Sequence, residues 1–148
     1  MKELMKEVKE TMMAAIFDVF EKMFYVFLEP IGDECSDYDM GAAIQFSGAQ
    51  NGELKILASE GLAKSMVQNL LGLKVEEITG KHIEDCIKEA ANMICGNYLG
   101  RLDQTKVFDL TIPSFLRRPS ETIEGSNVCR LCFDSDGERF GAVLTLSN

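Results

Sequence analysis

Asp85, Glu89, Asn92 and Gly96 are the residues of this chain most suggestive of chemistry, because of how they are spaced. An α-helix advances roughly 100° per residue, so all four fall within about 40° of one meridian. The opposite meridian carries Ile87, Ala90, Ala91, Ile94 and Tyr98. The stretch therefore reads as an amphipathic helix with a polar stripe. Its chemistry would be that of contact: carboxylates for a cationic group, and an amide that both donates and accepts.

The commoner reading of such a stripe is a solvated helix face. Three features point away from it. Asn is a poor interior helix residue, because its side chain competes for backbone hydrogen bonds. Gly96 costs roughly 1 kcal/mol relative to Ala in a helix interior. Both poor helix formers share the stripe with the two carboxylates. A glycine there would let another backbone or another protein approach closely.

Other potential reactive groups are weaker. His82 is the single histidine and stands four residues before Cys86. With no orienting third group and no oxyanion hole in view, it is expected to be a surface histidine. Cys129 and Cys132 form a Cys-x-x-Cys, but inside a strand pattern, where they point to opposite faces. Zinc would need a second ligand pair, and a redox motif would open a helix. Cys95 borders the stripe and is expected to be packing. No Walker or Rossmann glycine pattern occurs. Arg117 and Arg118 are adjacent in an expected loop, solvated or facing an acidic partner.

The elements that must position the stripe follow from periodicity. Residues 3–28 form a long amphipathic helix, with Val8, Met12, Ala15, Ile16, Val19, Met23 and Val26 at helical spacing. Phe17, Phe20, Phe24 and Phe27 broaden its apolar side. The sequence 29–32, with Pro30 and Gly32, ends it. Residues 43–47 and 54–58 read as a β-hairpin around 48–52. Ser59 is a plausible N-cap of a short helix ending at Gly72. A second long helix spans 81–102 and carries the stripe. Residues 107–112 are β-rich and stop at Pro113, and 114–125 read as loop. Residues 127–133 and 139–146 form a last hairpin around an Asp-Gly turn. The expected fold class is α+β: two long helices and a shorter one packed on one face of a mostly antiparallel sheet.

Composition bounds the function. At 148 residues and 46% hydrophobic, one ordinary domain over 1–148 is expected. The net charge of −9 argues against nucleic acid as a partner. No apolar run is long enough to span a membrane, and the start of the chain does not read as a secretory signal. Five cysteines, at 35, 86, 95, 129 and 132, suit reduced thiols in the cytoplasm.

The run Asp-x-x-x-Glu-x-x-Asn, followed by an apolar pair, a Gly and later a proline after a strand, resembles the CheC/CheX/FliY chemotaxis phosphatases, most of all CheX. The resemblance extends through the sequence from Gly52 to Leu57, that from Leu62 to Gly72, and Glu89-Ala-Ala-Asn92-Met-Ile-x-Gly96. It covers residues 12–146. It implies a CheC/CheX-like fold and hydrolysis of the acyl phosphate on a phosphorylated CheY-like response regulator. Glu89 would hold the regulator's lysine, and Asn92 would orient the attacking water. Asp85 and Gly96 would shape the contact surface. No cofactor or metal of the protein's own is implied, since Mg²⁺ would belong to the partner. The resemblance further implies a homodimer. CheC-type members carry two such helices. Here residues 21–24 put Phe24 where the second Asn would be, implying one site per chain. A docking module for a receiver domain or flagellar switch component, without hydrolysis, is the alternative.

Overall fold

The computed structural model describes residues 2–32, 38–103, 105–119 and 127–147. Helix α1 (Lys2–Val19) runs into a π-helical turn (Phe20–Phe24) and then a short strand, β1 (Glu29–Ile31). Strands β2 (Met40–Ser47) and β3 (Asn51–Ala58) precede α2 (Glu60–Leu71). A 3-10 turn (Val75–Glu77) leads into α3 (Gly80–Leu102). Strands β4 (Asp109–Leu110), β5 (Ser114–Arg117), β6 (Val128–Ser135) and β7 (Glu138–Ser147) complete the chain. The sheet runs β1-β6-β7-β3-β2-β4, with β5 also pairing β2, and every pairing is antiparallel. The α+β expectation holds.

Strand alternation explains the layering. Phe133, Phe140 and Ala58 are register partners in one row; Leu131, Ala142, Ile56 and Ala42 form the next; Cys129, Leu144, Leu54 and Ile44 form a third. All eleven are buried in one core with the apolar faces of the helices. Val8, Met12, Ala15, Ile16 and Val19 supply the α1 side, at the spacing read from sequence. Phe20 meets Phe140 edge-on at 4.7 Å between ring centres, a favourable aromatic geometry. The alternate residues Leu57, Cys132 and Val143 belong to the other face of the sheet.

The hairpin joining β6 and β7 turns through Asp136 (φ 50°) and Gly137 (φ 86°), as the Asp-Gly signal required. The first hairpin differs in detail. Gly48 takes the positive φ of 146°, and its N–H donates to Asn51 Oδ1 at 3.0 Å. Gly52 already lies in β3, where a Cβ would strike Thr145 O and the Phe46 ring. That glycine serves packing rather than the turn.

Four expectations are corrected. The first helix stops at Phe24, because Tyr25 adopts a left-handed conformation (φ 52°) that redirects the chain toward β6. Residues 29–31 are strand, and Pro30 is tolerated because β1 lies at the sheet edge. Residues 114–117 form β5 rather than loop, paired with β2. Ser59 takes the N-cap backbone position of α2 but makes no cap bond. Asp39 Oδ2 accepts from the Glu60 N–H at 2.7 Å instead. Ser59 Oγ donates to Glu138 at 2.9 Å.

Cys86 and Cys95 are free and buried, and Cys129 is buried in the core. Cys132 departs from the reduced-thiol expectation: it is disulfide-bonded, on the sheet face away from Cys129. Cys35 lies outside the described residues. Phe140 sits at the centre of this packing. Phe140→Ala should cost about 3–5 kcal/mol in urea unfolding, whereas Leu71→Ala, at a 52% exposed position, should stay within about 0.5 kcal/mol.

Candidate functional site

Helix α3 is fixed at both ends and along one side. At its start, the Thr79 N–H donates to His82 Nδ1 (3.1 Å) and the His82 N–H donates to Thr79 Oγ1 (3.2 Å). His82 thus completes a capping box in the place usually taken by Glu or Gln, a structural role consistent with its reading as a non-catalytic residue. Cys86, Ile87, Ala90, Ala91, Ile94, Cys95, Tyr98 and Leu99 are buried along the inner side. The small Ala90 and Ala91 allow close approach of neighbouring elements. Near its end, the Tyr98 hydroxyl donates to Gln50 Oε1 at 2.8 Å, and its ring meets Phe46 edge-on.

A polar cluster locks α3 to α1. Asn97 Nδ2 donates to Asp18 Oδ2 at 2.8 Å, Arg101 Nε donates to Asn97 Oδ1 at 2.6 Å, and Lys22 pairs with Asp18 at 2.8 Å. The hydrogen bonds from Lys22 and then Asn97 hold the Asp18 carboxyl below its ordinary value.

With its inner side committed, α3 turns the stripe outward. Asp85, Glu89, Asn92 and Gly96 are all exposed. Asp85 is engaged by Lys81 at 3.2 Å and lies 4.0 Å from Lys88. The side chains of Glu89 and Asn92 have no hydrogen bond or ion pair with another described residue. A Cβ added at Gly96 would meet nothing within 4 Å. No described neighbour explains the glycine. Facing α3 across a groove of about 400 Å³ are Thr111, Ile112 and Pro113, with Asp85, Lys88, Glu89 and Asn92 on the helix side. Sequence reasoning missed Lys88 and this opposite wall. The signal available was Pro113 closing a β-rich run, but only the pairing of β4 and β5 with β2 brings that run beside α3.

The first helix carries no second stripe among its described residues. Phe24, at the position matching Asn92, is fully buried, and its carbonyl accepts from Asn69 Nδ2 at 2.7 Å. The remaining cysteines near the stripe are inert, since burial pushes the thiols of Cys86 and Cys95 up to about 12. Arg117 and Arg118 are exposed at the end of β5, where Arg118 takes a φ of 46°. Among the described residues no cluster of three or more His, Cys, Asp or Glu could hold a metal ion. No helix among them is long and apolar enough to cross a membrane.

Fold and site together define an α+β domain of the CheC/CheX type. The family model described as chemotaxis phosphatase CheX matches residues 40–135, and the chain belongs to that family. The fold is similar to that of chemotaxis protein CheX from Vibrio vulnificus, at 23% identity and a TM-score of 0.81, over 95% of this chain and 97% of that one. A putative chemotaxis protein from Desulfovibrio vulgaris Hildenborough is similar at 22% identity and a TM-score of 0.77, over 95% and 97% of the two chains. The CheX of a CheX–CheY–BeF3–Mg²⁺ complex from Borrelia burgdorferi is similar at 19% identity and a TM-score of 0.71, over 94% and 97%. Comparison with curated protein sequences gave no match.

The Asp18 cluster supplies a pH test of how α3 is held. A carboxyl with a lowered folded pKa contributes stability that is present above its unfolded value of 3.8 and is lost as pH falls through the folded value. Asp18→Asn should therefore flatten the loss of stability below about pH 4, followed by thermal unfolding at stepped pH.

Proposed function

We propose that this protein is a phosphatase of phospho-aspartyl receiver domains, working in the cytoplasm as one domain over residues 1–148. The observation that supports it most is the exposed Glu89–Asn92 pair, unpartnered among the described residues, on a rigidly held helix beside a glycine that no described neighbour requires. Such a pair is arranged to act on something outside this protein. The Borrelia CheX in complex with CheY, BeF3 and Mg²⁺ supports a CheY-like receiver as that partner.

The chemistry asked of the two residues is modest. Phosphoryl transfer depends mainly on positioning and electrostatic stabilisation. Glu89 pairs with the receiver's lysine, a charge-assisted contact that docks α3 over the phosphorylated aspartate. Asn92 then reaches the phosphoryl group, its amide holding a water in line with the bond to be broken. The water oxygen bonds to phosphorus as the bond to the aspartyl oxygen breaks, releasing inorganic phosphate and the free carboxylate. Mg²⁺ in the receiver neutralises charge on the phosphoryl oxygens. Asp85, held by Lys81, and Gly96 shape the contact surface. Gly96 leaves room for the partner's backbone.

Docking without hydrolysis would use the same surface but would not need Asn92. Asn92→Ala should lower dephosphorylation of a phosphorylated receiver roughly hundredfold while leaving binding intact. Glu89→Ala should weaken binding as well. Gly96→Ala should stabilise the free protein by about 0.5–1 kcal/mol yet weaken receiver binding. Phosphate release, calorimetric affinity and thermal unfolding separate these outcomes. Unchanged phosphate release in Asn92→Ala would remove the catalytic assignment.

The protein is further proposed to be a homodimer. Strand β1 ends the sheet with one side unpaired among the described strands, and Tyr25 and Phe27 stand 72% and 83% exposed next to it. They line a hollow of about 660 Å³ with Phe17, Val26 and Pro30. Exposed aromatic surface beside a free strand edge favours pairing with a second sheet. Phe27→Ser should shift sedimentation from dimer to monomer. A wild-type monomer at micromolar concentration would refute the dimer.

A further inference from the structure

The second wall of the groove holds an apolar side chain that the chemistry above leaves unused. Ile112 is 89% exposed and lines the groove opposite Glu89 and Asn92. A scattered exposed apolar residue needs no explanation in general. The backbone of this one is pinned on both sides. Immediately before it, the Thr111 N–H donates to Gln45 O at 2.9 Å, and the Gln45 N–H donates to Thr111 Oγ1 at 2.9 Å. Upstream, Leu110 pairs with Phe46 in β4; downstream, Ser114 pairs with Ala43 in β5. Pro113 fixes the backbone between them and removes an N–H that could continue the pairing. The connector is therefore held in a shape that turns Ile112 out beside the stripe, at the cost of leaving a large side chain in water.

We infer that Ile112 is the apolar anchor of the receiver-docking surface and sets affinity for the phosphorylated receiver rather than the rate of hydrolysis. The inference rests on the proposed function and extends it to a residue on the opposite wall. The matching receiver face presents three features: a lysine ammonium for Glu89, the phosphoryl group within reach of Asn92, and an apolar side chain that meets Ile112. Charge favours this occupant. Lys81 pairs with Asp85 and Lys88 lies between Glu84 and Asp85, so the two lysines are matched by two carboxylates. Glu89, with no ion pair among the described residues, leaves a net negative charge, and the whole chain carries −9. The groove thus suits a basic pocket with an apolar rim. Contact at Ile112 would also exclude water from beside the Glu89–lysine pair, which strengthens such a pair.

The test compares wild type with Ile112→Ser, Ile112→Leu and Asn92→Ala. Each is mixed with a CheY-like receiver from the same genome, loaded with beryllium fluoride and Mg²⁺ for binding and phosphorylated for turnover. Ile112→Ser should raise Kd and KM by about tenfold, the scale expected for losing a buried aliphatic contact. Its turnover at saturating receiver and its melting temperature should stay close to wild type. Ile112→Leu should restore affinity. Asn92→Ala should show the reverse split, with low turnover and unchanged Kd. If Ile112→Ser binds like wild type while Asn92→Ala loses turnover, the anchor is wrong and the phosphatase reading stands. If Ile112→Ser changes sedimentation instead of Kd, Ile112 belongs to a contact between copies and the anchor is again wrong. If wild type binds none of the receivers, both readings fall.

Discussion

The burial of one side of α3 is the constraint on which the rest of the structure depends. Ile87, Ala90, Ala91, Ile94 and Tyr98 have no exposed surface, so the helix cannot rotate without bringing polar side chains into the core. Each large apolar side chain buried there contributes roughly 1.5–3 kcal/mol, and exposing an unpaired carboxylate to that environment would cost more. The stripe points outward because the opposite meridian has nowhere else to go. Its direction is a by-product of packing, and it needs no dedicated interaction of its own.

That arrangement separates holding from acting. The Thr79–His82 cap, the Tyr98–Gln50 hydrogen bond and the Asp18–Asn97–Arg101 cluster fix where α3 lies. None of them uses Glu89 or Asn92, which stay unpartnered among the described residues. Side chains kept free on a fixed backbone meet a partner with little reorganisation, the condition under which positioning is most effective. The facing wall achieves the same by other means. There the connector at Thr111–Pro113 is held by hydrogen bonds to β2 rather than by burial. The groove thus joins a helix fixed by its core side to a sheet edge fixed by its backbone.

Much of this was legible from residue order. The amphipathic periods of α1 and α3, the Gly72 helix stop, the Asp-Gly hairpin and the polar stripe are local patterns, and each appears where its spacing put it. Phe24 at the place of a second Asn came from the family resemblance rather than from a local pattern, and that side chain is buried. What escaped reading lies where distant partners decide. Residues 29–31 and 114–117 are too short and too irregular to show strand alternation, and become strands because β6 and β2 have open edges to fill. The first helix ends at Phe24 because the chain must turn to deliver β1 to that edge. Asp39 caps α2 in place of Ser59 because the fold brings the end of one strand against the start of the helix. The bonding of Cys132 likewise could not be read from spacing.

Residue spacing was sufficient to establish which side of α3 faces the core, and with it the shared direction of Asp85, Glu89, Asn92 and Gly96. A helical period is a property of neighbours along the chain, and burial of an apolar side needs no knowledge of what covers it. The ion pairs of Asp85 with Lys81 and Lys88 are likewise local, four and three residues apart on α3, whereas the groove and its Ile112 wall arose from long-range pairing. They depend on β4 and β5 meeting β2 across more than sixty residues of chain, a separation over which no local pattern carries information about distance.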